Sequence, residues 1–306
     1  MKILFKKILA LSTTAFLFAS YVPKGKSNNP LDEIAYQKEI KEWQQKRFTE
    51  LKSTKSPLNL IGMLWLKEGN NTFGGGEGHD LIFPKNKIIS QAGKYVLRND
   101  SVFIEIEEKA GINIKGKPVT GKLLAFSADS ALTFEKGTLR WFVTRSGGKL
   151  AVRLLDLESD YQKNFKGVEQ FPVDAKWRVN AKFTPYQPGA KIPITTIFGS
   201  TNDRPSAGLL SFTVDGKEYK LEALDGKTLF IIFSDKTAEN ESSYSFRFLH
   251  TSKPDSDGNV IVDFNKATNP NCAFSPHAPC PLPPALNKLS IAITAGEKKY
   301  NSLVKN

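Results

Sequence analysis

The sequence predicts a mainly β fold: two antiparallel β-rich units of sandwich or barrel type, preceded by one N-terminal amphipathic helix. Two observations carry this. From residue 55 onward, short runs of alternating apolar and polar residues recur between Gly, Asn and Asp turn signals, the period-2 pattern of half-buried strands. Apolar residues at sustained helical spacing occur near the N-terminus.

Residues 1–20 read as a secretory signal peptide. Lys2, Lys6 and Lys7 precede an apolar run from Ile8 to Ala19 that is too short to span a bilayer comfortably. Phe18 or Leu17 falls where cleavage near Ala19-Ser20 wants a small residue, so the cleavage position stays open and an uncleaved anchor is the alternative. No cysteine follows the run, which excludes a lipoprotein anchor. The expected product is an exported, soluble body, periplasmic or extracellular, with no stable membrane insertion beyond that segment.

A helix is expected over residues 29–54. Asn29 can cap it, Pro30 suits its first turn, and Asp32 and Glu33 face its positive dipole end. Tyr36, Ile40, Trp43, Phe48 and Leu51 form the apolar stripe, and the Lys, Glu and Gln residues between them read as a solvated face.

Residues 55–183 form the first β unit. Val102, Ile104 and Ile106 alternate with Phe103, Glu105 and Glu107; Leu139, Trp141 and Val143, then Leu150, Val152 and Leu154, do likewise. The glycines at 74–76 lack the Lys-Ser/Thr pair of a phosphate loop and read as turn punctuation. Thr184 to Ala190, with two prolines and a glycine, is the expected linker.

Residues 190–303 form the second unit. Asp215-Gly216 between two alternating runs is the strongest hairpin signal in the chain. Leu229 to Phe233, Tyr244 to Phe248, Asn259 to Phe264 and Leu289 to Thr294 are the further strands, and the last two bracket a Cys- and Pro-rich loop at 263–284. Proline limits φ there, so an ordered, kinked connection is expected across the second unit.

Five lysines and no acid among the first thirty residues account for much of the +12 net charge. The remaining basic residues are scattered among acids, without the concentrated face of a nucleic-acid binder, so no nucleic acid is expected as a partner.

Cys272 and Cys280, both in the loop, are expected to pair as a disulfide in an exported protein. A metal site on Cys272, His277 and Cys280 is the weaker alternative, because its spacing matches no zinc pattern. No cofactor is expected. HExxH and GxSxG motifs are absent, and the three histidines lie far apart. Charges within strands are more informative. Arg247 sits on the face opposite Tyr244, Phe246 and Phe248, Asp263 interrupts an apolar run, and Glu297 follows the last strand. Such charges face solvent or need partners. The functional reading gathers Arg247, Asp263, Asn265 and Asn269 around one pocket, with Asp235 and Glu241 joining by hairpin geometry.

Val262-Asp263-Phe264-Asn265-Lys266, Asn269-Pro270-Asn271-Cys272-Ala273-Phe274, Cys280-Pro281-Leu282-Pro283-Pro284 and Ala295-Gly296-Glu297 together resemble the signature of the DUF1684 family. Leu64-Trp65-Leu66, Phe165-Lys166-Gly167, Phe171-Pro172-Val173 and Arg247-Phe248-Leu249 support the resemblance upstream. The chain departs from it in reading Glu241-Ser242-Ser243-Tyr244 before the arginine strand and Ala267-Thr268-Asn269 before the proline. The resemblance implies an architecture and a candidate site, not an activity. Three readings follow: a module binding a small polar or anionic ligand near Arg247 and the loop; a hydrolase-like envelope enzyme using Asp263 or Glu297 as general acid or base; and an interaction protein without a small-molecule site. Oligomeric state is open.

Overall fold

The computed structural model describes residues 32–301, so the signal segment 1–20 and the expected cap Asn29 lie outside the described residues. Helix α1 (Glu33–Leu51) is capped by Asp32, whose carboxylate accepts hydrogen bonds from the backbone N–H groups of Ile34 and Ala35. Its buried stripe is narrow: Tyr36, Ile40 and Leu51 are buried, Trp43 is half-buried and Phe48 stays partly exposed.

The first β unit holds β1 (Leu60–Trp65), β2 (Gly69–Gly75), β3 (Leu81–Phe83), β4 (Gly93–Arg98), β5 (Ser101–Ile106) and β6 (Ile112–Ile114). It continues with β7 (Lys117–Val119), β8 (Gly121–Phe126), β9 (Thr133–Lys136), β10 (Leu139–Ser146) and β11 (Lys149–Asp156). They make two sheets, ordered β1-β11-β10-β9-β6-β7 and β3-β2-β4-β5-β8. The alternating residues named above point into one core, where Phe73, Tyr95, Ile104, Trp141 and Val152 are fully buried. Trp141 Nε1 donates to Tyr95 Oη at 2.8 Å, so the one polar atom of the largest core ring is satisfied within the core.

After the short helix α2 (Asp160–Asn164) comes a seven-stranded sheet. Its members are β12 (Arg178–Pro185), β13 (Lys191–Thr195), β14 (Thr201–Val214), β15 (Lys217–Leu224), β16 (Leu229–Phe233), β17 (Arg247–Thr251) and β18 (Asn259–Asp263). The order is β17-β16-β15-β14-β12-β18, with β13 on β14. Thr251 Oγ1 donates to Ile261 O across the gap between the outer strands, so the sheet curls toward a barrel. Its interior holds Leu210, Leu221, Ile231, Leu249, Val262 and Phe264. The Asp215-Gly216 hairpin forms as read, with both turn residues at positive φ (50° and 77°).

Three expectations change. The strand read at residues 244–248 starts only at Arg247 and runs to Thr251. β12, assigned by sequence to the first unit, pairs with β14 and β18, so residues 184–190 are the end of β12 and the turn that follows it within the second sheet, rather than a linker between units. Leu289–Thr294 is no strand. Its side chains Leu289 and Ile293 are buried as the alternation requires, but its N–H groups reach Ser234 O and the Asp235 carboxylate instead of a neighbouring ladder.

Candidate functional site

The loop at 263–284 is ordered by internal polar anchors. Asp263 Oδ1 accepts from Asn265 N (3.1 Å) and from Tyr36 Oη of α1 (2.8 Å). The Asn265 amide donates to Tyr36 Oη and Asp174 O and accepts from Asp174 N. Burial, with Asp263 alongside, pushes the Tyr36 phenol well above its ordinary value, so Tyr36 stays a donor. Farther along, Glu297 is fully buried. Its Oε2 accepts from Asn269 N (2.6 Å) and Asn269 Nδ2 (3.0 Å), and its Oε1 accepts from Arg47 Nε (3.0 Å). Gly296 is needed beside it: φ is +75°, and a Cβ there would lie 2.6 Å from Ala267 O. Asp263 and Glu297 therefore fasten α1 to the loop, one near each end of the helix.

Arg247 is fully buried on the inner face of β17. Its Nη2 donates to Asp235 Oδ2 (2.6 Å) and Ile293 O (2.9 Å), its Nη1 donates to Ala295 O, and its guanidinium lies 5.1 Å from the Phe233 ring. Burial pushes the guanidinium pKa down while Asp235 opposes the shift. Asp235 thus joins Arg247 as expected. Asn265, Asn269 and Asp263 do not; they bind α1 and the loop. Glu241 stands exposed in a turn at φ +59° and pairs with Lys299 (2.8 Å). The gathering of the other five residues around Arg247 is corrected accordingly: pleating sends Arg247 to the closed side of the sheet.

The two cysteines meet as free thiols rather than as a bridge. Cys272 N donates to Cys280 Sγ at 2.9 Å. Hydrogen bonds from Cys280 and then Tyr244 hold the Cys272 thiol below its ordinary value, and the same contact pushes Cys280 up. Among the described residues no three His, Cys, Asp or Glu side chains gather as a metal site needs, so Cys272, His277 and Cys280 do not form one.

The open face of β17 carries Phe248 and His250, one pleat away from Arg247 and Leu249. Phe230 on β16 lies opposite His250 in register, and their rings stack at 4.6 Å and 15°. Together with α1 and the 266–271 segment they line a half-open cavity of about 480 Å³. From α1 come Trp43, Lys46, Arg47 and Glu50, spaced i, i+3, i+4, i+7; Lys266, Thr268, Asn269 and Asn271 complete it. Three cations face one carboxylate. Arg47 is tied to Glu297, and Lys266 to Glu39 and Asp263, whereas Lys46 makes no ion pair among the described residues. Sequence reasoning missed this helix face by assigning its lysines to solvent; the signal was a tryptophan sharing the stripe with two cations.

Residues 163–298 match the family model described as Protein of unknown function (DUF1684). Among solved structures, the chain is similar to an uncharacterized protein from Haloarcula marismortui determined by solution NMR. The identity is 33% over 45% of this chain and 78% of that chain, with a TM-score of 0.37. No curated protein matches.

Proposed function

For a chain that belongs, through residues 163–298, to the DUF1684 family, we propose binding of a small anionic ligand in the cavity between α1 and the open face of β16 and β17. The observation that carries the reading is Lys46, a cation that is unpaired among the described residues and lines a half-open concavity beside Arg47 and Lys266. An unpaired ammonium over a partly desolvated pocket gains more from an arriving anion than one already neutralised. The pocket adjoins the 266–271 part of the signature loop, which agrees with a ligand near that loop and disfavours a purely interaction role. Arg247 supports the site from behind without touching it.

The test is thermal unfolding with inorganic phosphate, acetate, citrate and neutral sugars. The anions should raise Tm, and Lys46→Met should remove the rise while Lys38→Met, on the exposed side of the same helix, keeps it. A rise that survives Lys46→Met would refute the assignment.

The same proposal puts the protein in an exported compartment, supported by the lysine-flanked apolar run at residues 2–19. In oxidising surroundings Cys272 and Cys280 would lose two electrons and two protons to a disulfide oxidant and close the expected bridge, supported by their contact. Fractionation with mass mapping of alkylated cysteines tests both; a cytosolic, fully alkylated protein would refute them.

A further inference from the structure

We propose that the ligand of this pocket carries a planar aromatic or heteroaromatic ring bearing its anionic group, so that the pocket selects ring carboxylates or ring phosphates over aliphatic anions. The inference rests on the anion-binding reading and goes beyond it by naming the body of the ligand.

The sheet side of the cavity is built from rings whose placement the strand register fixes. Phe230 pairs across the ladder with His250, and its ring stacks on the imidazole. Phe248, two residues from His250 on the same face, meets Phe230 edge-on at 5.1 Å and 78°. The helix side adds the half-buried indole of Trp43, one turn before the Arg47 that Glu297 holds in place. Both walls of one concavity therefore offer aromatic surface, and the cations Lys46 and Lys266 lie on the same lining.

Core packing alone accounts for part of this cluster, since Phe230 and Phe248 also touch the layer that contains Ile232 and Phe246. It does not account for the side facing the cavity. There the His250 ring keeps an exposed edge while Phe230 covers one face, and the burial it does have holds its pKa below the ordinary histidine value. A neutral imidazole continues the aromatic wall instead of adding a fourth cation. Its Nδ1 lies 3.2 Å from Thr228 Oγ1, which leaves Nε2 as a polar edge for a ring substituent. Offset or edge-on ring pairs at these separations are favourable beyond their area burial, and an aliphatic body forfeits that gain. The volume suits a ligand of one or two rings.

The experiment uses matched probes on the full chain: benzoate, cyclohexanecarboxylate and benzyl alcohol, with affinity from calorimetry and Trp emission as the positional readout. Benzoate should bind about three- to tenfold more tightly than cyclohexanecarboxylate, and benzyl alcohol should bind more weakly than benzoate. Trp43→Leu should erase the benzoate preference and the emission change, and Trp43→Phe should restore the preference, which separates stacking from damage to the helix. Equal affinity of the two carboxylates would overturn the ring inference and leave the anion reading intact. Failure of both carboxylates to bind, or binding indifferent to Lys46→Met, would overturn both.

Discussion

Replacing Arg47 by Met removes the one cation that, among the described residues, touches the buried Glu297 carboxylate. Glu297 is fully buried, while the Arg47 side chain is 19% exposed. At 3.0 Å and the effective dielectric of about 20 that suits such pairs, the gross attraction is about 5 kcal/mol. Two Asn269 donors remain on Oε2, and Arg47 regains hydration on leaving, so the net loss should be about 2–4 kcal/mol. The cost falls on the docking of α1, because Arg47 and Tyr36 are its buried or half-buried polar ties to the loop, the Glu39–Lys266 pair is solvent-exposed, and its apolar stripe is narrow. Hydrogen exchange of α1 amides should therefore accelerate between about 30-fold and several hundred-fold, at tenfold per 1.4 kcal/mol. Amides of β10 and β11, in the other core, should not change. Glu297→Gln in the Arg47→Met background should restore part of the protection, since the orphaned charge is gone. An Arg47→Met protein whose α1 amides exchange at the wild-type rate would show that Glu297 is not a helix anchor and reopen its use as a general base.

Four further outcomes follow from the same structure. Arg247→Met strands the Asp235 carboxylate in the barrel wall and should cost about 3–5 kcal/mol, measured by urea denaturation, with Asp235→Asn in the same chain recovering part of it. Tyr36→Phe leaves Asp263 and Asn265 each one partner short and should cost about 1–3 kcal/mol; an unchanged midpoint would contradict the network. Gly296→Ala combines positive φ with a Cβ driven into Ala267 O and Phe264 O, and should lose at least about 2 kcal/mol together with α1 protection. Burial depresses the pKa of both His250 and His277, so the folded chain binds fewer protons than the unfolded chain once pH drops below the ordinary value of 6.5. Stability is full above that pH and declines below it until the folded-state values are passed. Tm between pH 7 and 5 should accordingly fall less for the His250→Gln/His277→Gln double variant than for wild type.

Alternation and turn chemistry are local, and the sequence carried them. Val102-Ile104-Ile106 and Leu150-Val152-Leu154 could face only one way, Asp215-Gly216 could close only a tight hairpin, and one helix was legible from Tyr36 to Leu51. The prolines of the signature loop likewise foretold an ordered path. Partner choice was a different matter, because it depends on which distant surfaces the chain brings together. Nothing local says that Tyr36 reaches Asp263 across 227 residues, or that Arg47 reaches Glu297 across 250. Arg247 was rightly read as a strand charge needing a partner, but only the curl of the sheet decided that its face was the closed one and that Ala295 O and Ile293 O would join Asp235 as its acceptors. The unassigned pocket belongs to the same class. Trp43, Lys46 and Arg47 look like an ordinary solvated face until α1 is laid against Phe230, Phe248 and His250, since a pocket is a property of two surfaces and a sequence displays them one at a time.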